Sequence, residues 1–364
     1  MPLRVLVVDD TAVFRLVVSE AIASLPDVEV VGSAENGRMA LARISELKPD
    51  LVTLDIEMPV MDGIQVLEAL RKDGTEVGVL ILSALTKKGG ELTMKALDLG
   101  AFDFITKPAR GSSRQNREWL ASELAPRIRA FARRREIRKA LRRDPIPGPP
   151  VSMTKQASSP RLLPPLARSV PPEMVVIGVS TGGPAALASL LPLLPASLPV
   201  PILIVQHMPP LFSKSLADSL DTKCQLRVKE AEEGELAVAG TVYIAPGGHQ
   251  MKICPAANGG KQIRITDDPA ENHSRPSVDY LFRSVAHSYP GKATAVILTG
   301  MGTDGTIGLR LIKRNGGTII AQDEATCVVF GMPKDAIAAG VVDVIAPLKN
   351  IAAEILETLK GGSA

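Results

Sequence analysis

Over the first 125 residues, short apolar runs alternate with stretches of helical length. Residues 4–8 (RVLVV), 28–33, 50–54 (DLVTL), 77–82 (VGVLIL) and 102–105 are strand-length and rich in β-branched residues. Between them, segments such as 12–25 and 64–70 place apolar residues at the 3.6-residue spacing of a helix. Five such repeats predict a parallel sheet with helices on both faces. Leu120, Leu124, Ile128 and Phe131 then form one apolar stripe at i, i+4, i+8 and i+11, a last helix for that sheet. A second pattern of this kind begins near residue 173. It comprises a buried strand at 174–179 (MVVIGV), a helix at 185–194, a strand at 201–205 (PILIV) and, at 293–299 (ATAVILT), the most apolar strand of this half.

At 364 residues, the chain is long enough for two or three domains. Pro145–Pro172 holds nine prolines in 28 residues and no apolar period, the composition of a semi-rigid extended linker. Charge divides the chain at the same place. Residues 1–125 are net −5, residues 126–172 net +10, and residues 173–364 net −2. The expected organisation is therefore a first domain at 1–125, a basic helix end and Pro-rich linker at 126–172, and a second domain at 173–364. The basic run reads either as a solvated helix end or as a contact for an acidic partner. Aromatic residues make up 3% of the chain, too few for base-stacking platforms, so no nucleic-acid partner is expected. Three widely spaced cysteines without a CxxC pair argue against a disulfide framework or structural zinc. The N-terminus is too quickly acidic for a signal peptide, and no apolar run approaches the roughly 20 residues of a membrane span. A soluble, cytoplasmic protein that is not membrane-embedded is expected.

The chemistry of the first half lies at strand ends. Asp9 and Asp10 close the first strand and Asp55 the third, while Ser83 ends the fourth and Lys107 the fifth. In an open parallel sheet the carboxyl ends of the strands line the functional crevice. Three carboxylates there repel one another unless a hard cation such as Mg²⁺ sits among them. A carboxylate beside Mg²⁺ and a lysine suits attack on a phosphoryl group, whose oxygens both cations neutralise. A cis Lys107–Pro108 bond would aim the lysine inward. The motifs VVDD, LDIEMPVMDG, LSA and KP resemble the receiver domain of two-component response regulators. That resemblance implies a flavodoxin-like fold, phosphorylation on Asp55, and Mg²⁺ held by Asp10, Asp55 and the Glu57 carbonyl with Asp9 assisting. It also implies that Ser83 and Phe104 report the phosphate. Phe104 stands where the family often has tyrosine, so its rotamer change is read by packing alone.

In the second half, Gly178-Val179-Ser180-Thr181-Gly182 satisfies GxSxG between a strand and a helix. This turn exposes a serine hydroxyl beside backbone N–H groups able to receive an oxyanion. The competing reading is a phosphate cradle, but no GK[ST] follows, GxGxxG is missing, and no acidic residue ends a strand near position 200. Of four histidines, His207 follows the next strand at the same sheet edge; His249, His273 and His287 lie in loops or late in a helix. Asp304 lies in the glycine-rich turn GMGTDG after the 293–299 strand. Ser180, His207 and Asp304 thus converge as a nucleophile, a base and an orienting carboxylate, in a chain order unlike that of α/β-hydrolases.

The segments GVSTGGP, VQHMP, YIAPGGHQM, RPSVDYLF, ILTGMGTDG and FGMPKDAI resemble the catalytic domain of chemotaxis protein-glutamate methylesterases. The resemblance implies a doubly wound, mostly parallel-sheet esterase domain that needs no cofactor for ester hydrolysis, with the Met301 backbone N–H as an oxyanion donor. It implies chemoreceptors as substrate, a chemotaxis histidine kinase as phosphodonor, phosphorylation-activated release of methanol, and glutamine deamidase activity. Two departures stand out. Ser274 precedes Arg275-Pro276-Ser277 where the family often has histidine, with His273 one place earlier, and the linker looks longer than usual. The alternative is a phospho-dependent regulator or scaffold without catalysis. A transcription factor would need a helix-turn-helix after the receiver, where this chain has proline-rich sequence.

Overall fold

The computed structural model describes residues 2–108, 111–142, 171–257 and 259–360. The linker expected at 145–172 lies outside the described residues up to position 170. The chain divides into two compact units, Met1–Phe131 with Met208–Lys223 and Pro246–Gly248, and Ala132–His207 with Cys224–Ala245 and His249–Ala364.

The first unit alternates β1 (Leu3–Val8), α1 (Ala12–Ala23), β2 (Val28–Ala34), α2 (Gly37–Leu47), β3 (Leu51–Asp55), α3 (Gly63–Lys72), β4 (Gly78–Ser83), α4 (Lys87–Asp98) and β5 (Asp103–Thr106). Among the described residues the sheet runs β2-β1-β3-β4-β5, with every pairing parallel, the flavodoxin-like order. Because β1 and β3 are neighbours, Asp9 and Asp55 come together at their carboxyl ends. A side chain at Gly63 would place its Cβ 2.4 Å from the Asp55 carbonyl oxygen, so glycine lets α3 start hard against the end of β3. Asp62 caps α3 reciprocally with Gln65, which fixes that start.

Helix α5 (Ser113–Arg142) continues without a break through positions 125–126. Leu120, Leu124 and Ile128 of its apolar stripe are buried, and Phe131 meets the Phe102 ring edge-on at 5.4 Å. Farther along, Arg133 of the basic run pairs with Glu324.

The second unit begins with β6 (Met174–Val179), α6 (Gly183–Leu190) and β7 (Ile202–Gln206). The chain then enters the first unit as α7 (Phe212–Asp221), which packs on α4; there Phe212 stacks face to face on Phe104 at 5.0 Å. The second unit resumes with β8 (Arg227–Glu230), β9 (Thr241–Ile244), an antiparallel hairpin of β10 (Gln250–Pro255) and β11 (Lys261–Thr266), then α8 (Val278–Ser288), β12 (Ala293–Ile297) and α9 (Thr306–Arg314). It closes with β13 (Thr318–Gln322), α10 (Met332–Ala338), β14 (Val344–Ala346) and α11 (Leu348–Leu359). Among the described residues its main sheet runs β14-β13-β12-β6-β7-β9-β8, again all parallel. The chain leaves β6 toward β7 on one side and returns as β12 on the other. That reversal opens the crevice in which a doubly wound sheet binds its ligands.

Two boundaries differ from expectation. The helix expected at 185–194 starts at Gly183, with Pro184 in its first turn where no N–H partner is needed, and ends in a short 3₁₀ turn. The strand expected to reach residue 299 ends at Ile297, and Gly300 turns to bond Val329 instead.

Leu124, fully buried in the α5 stripe, allows a direct test. Leu124→Ala should lower the unfolding free energy by about 2–5 kcal/mol in a urea titration, the range for emptying a core leucine site. A loss below about 0.5 kcal/mol would mean the helix does not depend on this face.

Candidate functional site

Helix α8 provides the anchor of the candidate active-site crevice. Ser277 is its N-cap, and its first backbone N–H groups point at the Asp304 carboxylate: Val278 N–H donates to Oδ2 at 2.7 Å and Asp279 N–H to Oδ1 at 3.0 Å. The Ser277 hydroxyl adds a bond to Oδ1 at 2.9 Å and the Asn272 side-chain amide another at 2.8 Å. An anion at a helix N-terminus, held by N–H groups that lack intrahelical partners, is a favourable arrangement. Gly305, with φ of +100°, caps α9 directly after Asp304 and turns the chain so that this carboxylate can face α8.

His207 joins the cluster through both ring nitrogens. Its Nε2 lies 2.7 Å from Asp304 Oδ2 and its Nδ1 lies 3.1 Å from Ser180 Oγ. Burial would raise the Asp304 carboxyl. The His207 hydrogen bond and charge, with the Asp279 and Val278 N–H groups, outweigh burial and hold it at about 2. Asp304 is therefore an ionised acceptor, which requires the proton of neutral His207 to sit on Nε2. Nδ1 is left free to accept from the serine hydroxyl. The serine proteases use the two nitrogens the other way round. The amide of buried Gln206 braces the pair, donating to the Ser180 carbonyl at 2.9 Å and the His207 carbonyl at 3.0 Å.

The Ser180 N–H is taken by the Thr299 carbonyl at 3.0 Å, so an oxyanion donor has to come from elsewhere. A Cβ at Gly300 would fall 2.8 Å from Ser180 Cβ and 2.4 Å from the Met332 sulfur. Glycine there brings the GMGTDG turn against the serine, and Met301, with an exposed side chain, is the next residue. The other histidines lie apart from this cluster in their contacts. His249 pairs with Asp267 at 2.8 Å, His273 sits in a left-handed bend, and His287 lies in the last turn of α8.

In the first unit, carboxylate oxygens of Asp9, Asp10 and Asp55 lie within 4.8 Å of one another. Lys107 Nζ reaches Asp9 Oδ2 and Asp55 Oδ2, both at 2.7 Å, and lies 4.9 Å from the Phe14 ring centroid. It does so without the cis Lys107–Pro108 bond expected from sequence; among the described residues the cis bond is Arg275–Pro276. Burial is the main cause that pushes the Asp55 carboxyl up to about 6; Lys107 opposes it, while Asp9 and Asp10 add to it. Three carboxylates against one ammonium leave an excess of negative charge, and the all-oxygen donor set fits a small hard cation. The Glu57 carboxylate is engaged by Lys88 at 2.8 Å. Buried Ser83 donates to the Gly89 carbonyl at 3.2 Å, and Phe104 is covered by Phe212.

A profile of the family described as CheB methylesterase matches residues 175–355, and one of the response regulator receiver domain matches residues 5–115. A protein-glutamate methylesterase/protein-glutamine glutaminase of Desulfotalea psychrophila is 51% identical over 98% of this chain and 99% of its own length. The chain belongs to the protein-glutamate methylesterase family. A family member of the same name from Thermotoga maritima is 44% identical over 98% of both chains. The crystal structure of a Thermotoga maritima CheB methylesterase catalytic domain superposes with a TM-score of 0.50 at 48% identity, covering 52% of this chain and 99% of that one. In this family the receiver domain in general takes Mg²⁺, a histidine kinase is the phosphodonor and a chemoreceptor the substrate. Among the described residues no helix is long and apolar enough to cross a membrane.

Sequence reasoning missed Asn272, Ser277, Asp279 and Gln206. The N-cap signal Pro-Ser-Val-Asp was visible, but nothing local says that this helix aims at Asp304.

Every position around Asp304 is occupied by a donor, so the amide nitrogen of Asp304→Asn must confront an N–H or O–H. This variant should lose on the order of 10⁴-fold in kcat, the scale set by the equivalent change in a serine protease. The depressed carboxyl contributes stability above the ordinary pKa near 4 that is lost as pH falls toward 2. The stability gap between parent and Asp304→Asn, measured by urea titration, should therefore narrow over that window. A constant gap would contradict the assignment of the depressed group.

Proposed function

We propose that this chain is a phosphorylation-activated esterase that hydrolyses glutamyl methyl esters on chemoreceptors, releasing methanol, and that it also deamidates receptor glutamines. The observation that carries the reading is His207 held between Ser180 Oγ and the Asp304 carboxylate. Ser180 attacks the ester carbonyl while His207 Nδ1 takes its proton, and Asp304 stabilises the resulting imidazolium through Nε2–H. The oxyanion is received by the Met301 N–H. The proton on Nδ1 passes to the departing methoxide, giving methanol and an acyl-enzyme on Ser180. His207 then activates a water that returns the glutamate carboxylate and frees the serine. With glutamine the corresponding tetrahedral adduct takes the Nδ1 proton on its amide nitrogen and expels ammonia, giving the same acyl-enzyme.

Control resides in residues 1–125, with Asp55 as phosphoacceptor from the chemotaxis histidine kinase. Asp10, Asp55 and the Glu57 carbonyl would hold Mg²⁺, with Asp9 assisting. When bound, the ion supplies positive charge beside the phosphoryl oxygens. Lys107 already lies on Asp55 and adds a second positive charge. Ser83 and Phe104 report the phosphate; the stack of Phe104 on Phe212 supports a readout through packing. Residues 173–364 carry the esterase, 126–172 connect the two, and the protein works in the cytoplasm.

Ser180→Ala should abolish methanol release from methylated receptor membranes while an acyl-phosphate donor still phosphorylates Asp55. Near-native turnover would show the nucleophile assignment to be wrong. Asp55→Asn should remove the stimulation of methanol release by that donor, and undiminished stimulation would contradict the phosphoacceptor assignment.

A further inference from the structure

Asn272 lies between two buried carboxylates. Its Nδ2 donates to Asp304 Oδ1 at 2.8 Å and to Asp279 Oδ2 at 2.9 Å, so both amide protons are engaged. Asp279 is 2% exposed, and its other oxygen accepts the Gly308 N–H at 2.7 Å. Burial, and then the charge of Asp304, push its carboxyl above the usual carboxylate range. The loop that carries Asn272 is fixed to α8, the helix that also carries Asp279. Asn272 and His273 take left-handed backbone angles of +51° and +60°, and Glu271 and Ser274 close the bend with reciprocal backbone bonds. The Glu271 carboxylate is gripped by both terminal nitrogens of Arg283 from the second turn of α8.

Two like charges this close in a buried setting drive one another toward protonation or apart. Protonation or displacement of Asp304 would cost His207 its acceptor. We propose that Asn272 is a positioning residue for the esterase reaction, its side-chain NH₂ bridging Asp304 and Asp279 so that Asp304 stays ionised and aimed at His207. This rests on the Ser180–His207–Asp304 reading. The bridge does not touch substrate; it acts through Asp304. It also explains a second carboxylate beside the first: Asp279 fixes the α9 start through Gly308, and Asn272 makes its charge tolerable.

The test uses the full-length protein with an acyl-phosphate donor and methylated receptor membranes, and reads methanol release and thermal midpoint. Glycine accepts the left-handed backbone, so Asn272→Gly removes the amide without straining the bend. It should lower kcat about tenfold or more, with KM within about twofold and the midpoint little changed. Asn272→Asp keeps the side chain's shape but puts a third carboxylate in the cluster, and should lose more than the glycine variant. Asp279→Asn should impair the parent, because its new amide faces the Asn272 donor. In the Asn272→Gly background the same change should restore kcat, since the charge that needed bridging is gone. Parental kcat in Asn272→Gly or in Asn272→Asp would overturn the proposal, as would a double variant no faster than Asn272→Gly. Should Asn272→Gly fail to fold, Asn272→Asp and its combination with Asp279→Asn decide the matter by the same comparison. Turnover retained by Ser180→Ala would instead overturn the site reading beneath it, a result distinguishable from all of these.

Discussion

The Ser180–His207–Asp304 crevice depends on one buried charge, the Asp304 carboxylate, and on the helix end that binds it. Removing an ion of this size from water costs several kcal/mol even after relaxation. Hydrogen bonds to a charged group return about 1.5–3 kcal/mol each, so several are required. Asp304 receives five: two α8 backbone N–H groups, the Ser277 hydroxyl, the Asn272 amide and His207. With the charge fixed, the rest follows. An acceptor that stays ionised sets the tautomer of His207, and the tautomer sets which nitrogen is free for Ser180.

The carboxylate cluster of the first unit faces the same problem and resolves it differently. Asp9, Asp10 and Asp55 meet at the ends of β1 and β3 with an ammonium, Lys107, rather than a helix end, as compensation. Burial is the main cause that lifts Asp55 to about 6; Lys107 offsets only part of the rise, and Asp9 and Asp10 add to it. Asp304, satisfied by donors, falls to about 2. The same residue type is thus held as a permanent anion in one crevice. In the other it is left short of positive charge, a setting that suits a small hard cation.

Much of this was legible in the chain because strand ends are legible. Asp9, Asp55, Ser83, Ser180, His207 and Asp304 each follow an apolar run, and a parallel sheet gathers such positions at one edge. The shell around Asp304 was not legible. Asn272 lies between a hairpin and α8, and Asp279 in the first turn of α8, 32 and 25 residues before Asp304, and no period links them to it. Lys107 shows a different limit: its proline neighbour suggested a cis bond, yet the trans chain brings the ammonium to both carboxylates. The helix start at Gly183 was read two residues late because Gly-Gly-Pro looks like a turn. In fact the two glycines are where Val328 and Gln206 press closest, leaving no room for a Cβ.

The central claim is that Asp304 dictates the protonation of His207, and ring-nitrogen NMR tests it most directly. In full-length protein with ¹⁵N-labelled histidine, at a pH where the imidazole is neutral, the proton should reside on Nε2. It should be shifted downfield by its bond to Asp304, with Nδ1 showing the shift of an unprotonated acceptor. A His207 ring protonated on Nδ1, with Nε2 bare toward Asp304, would contradict the account.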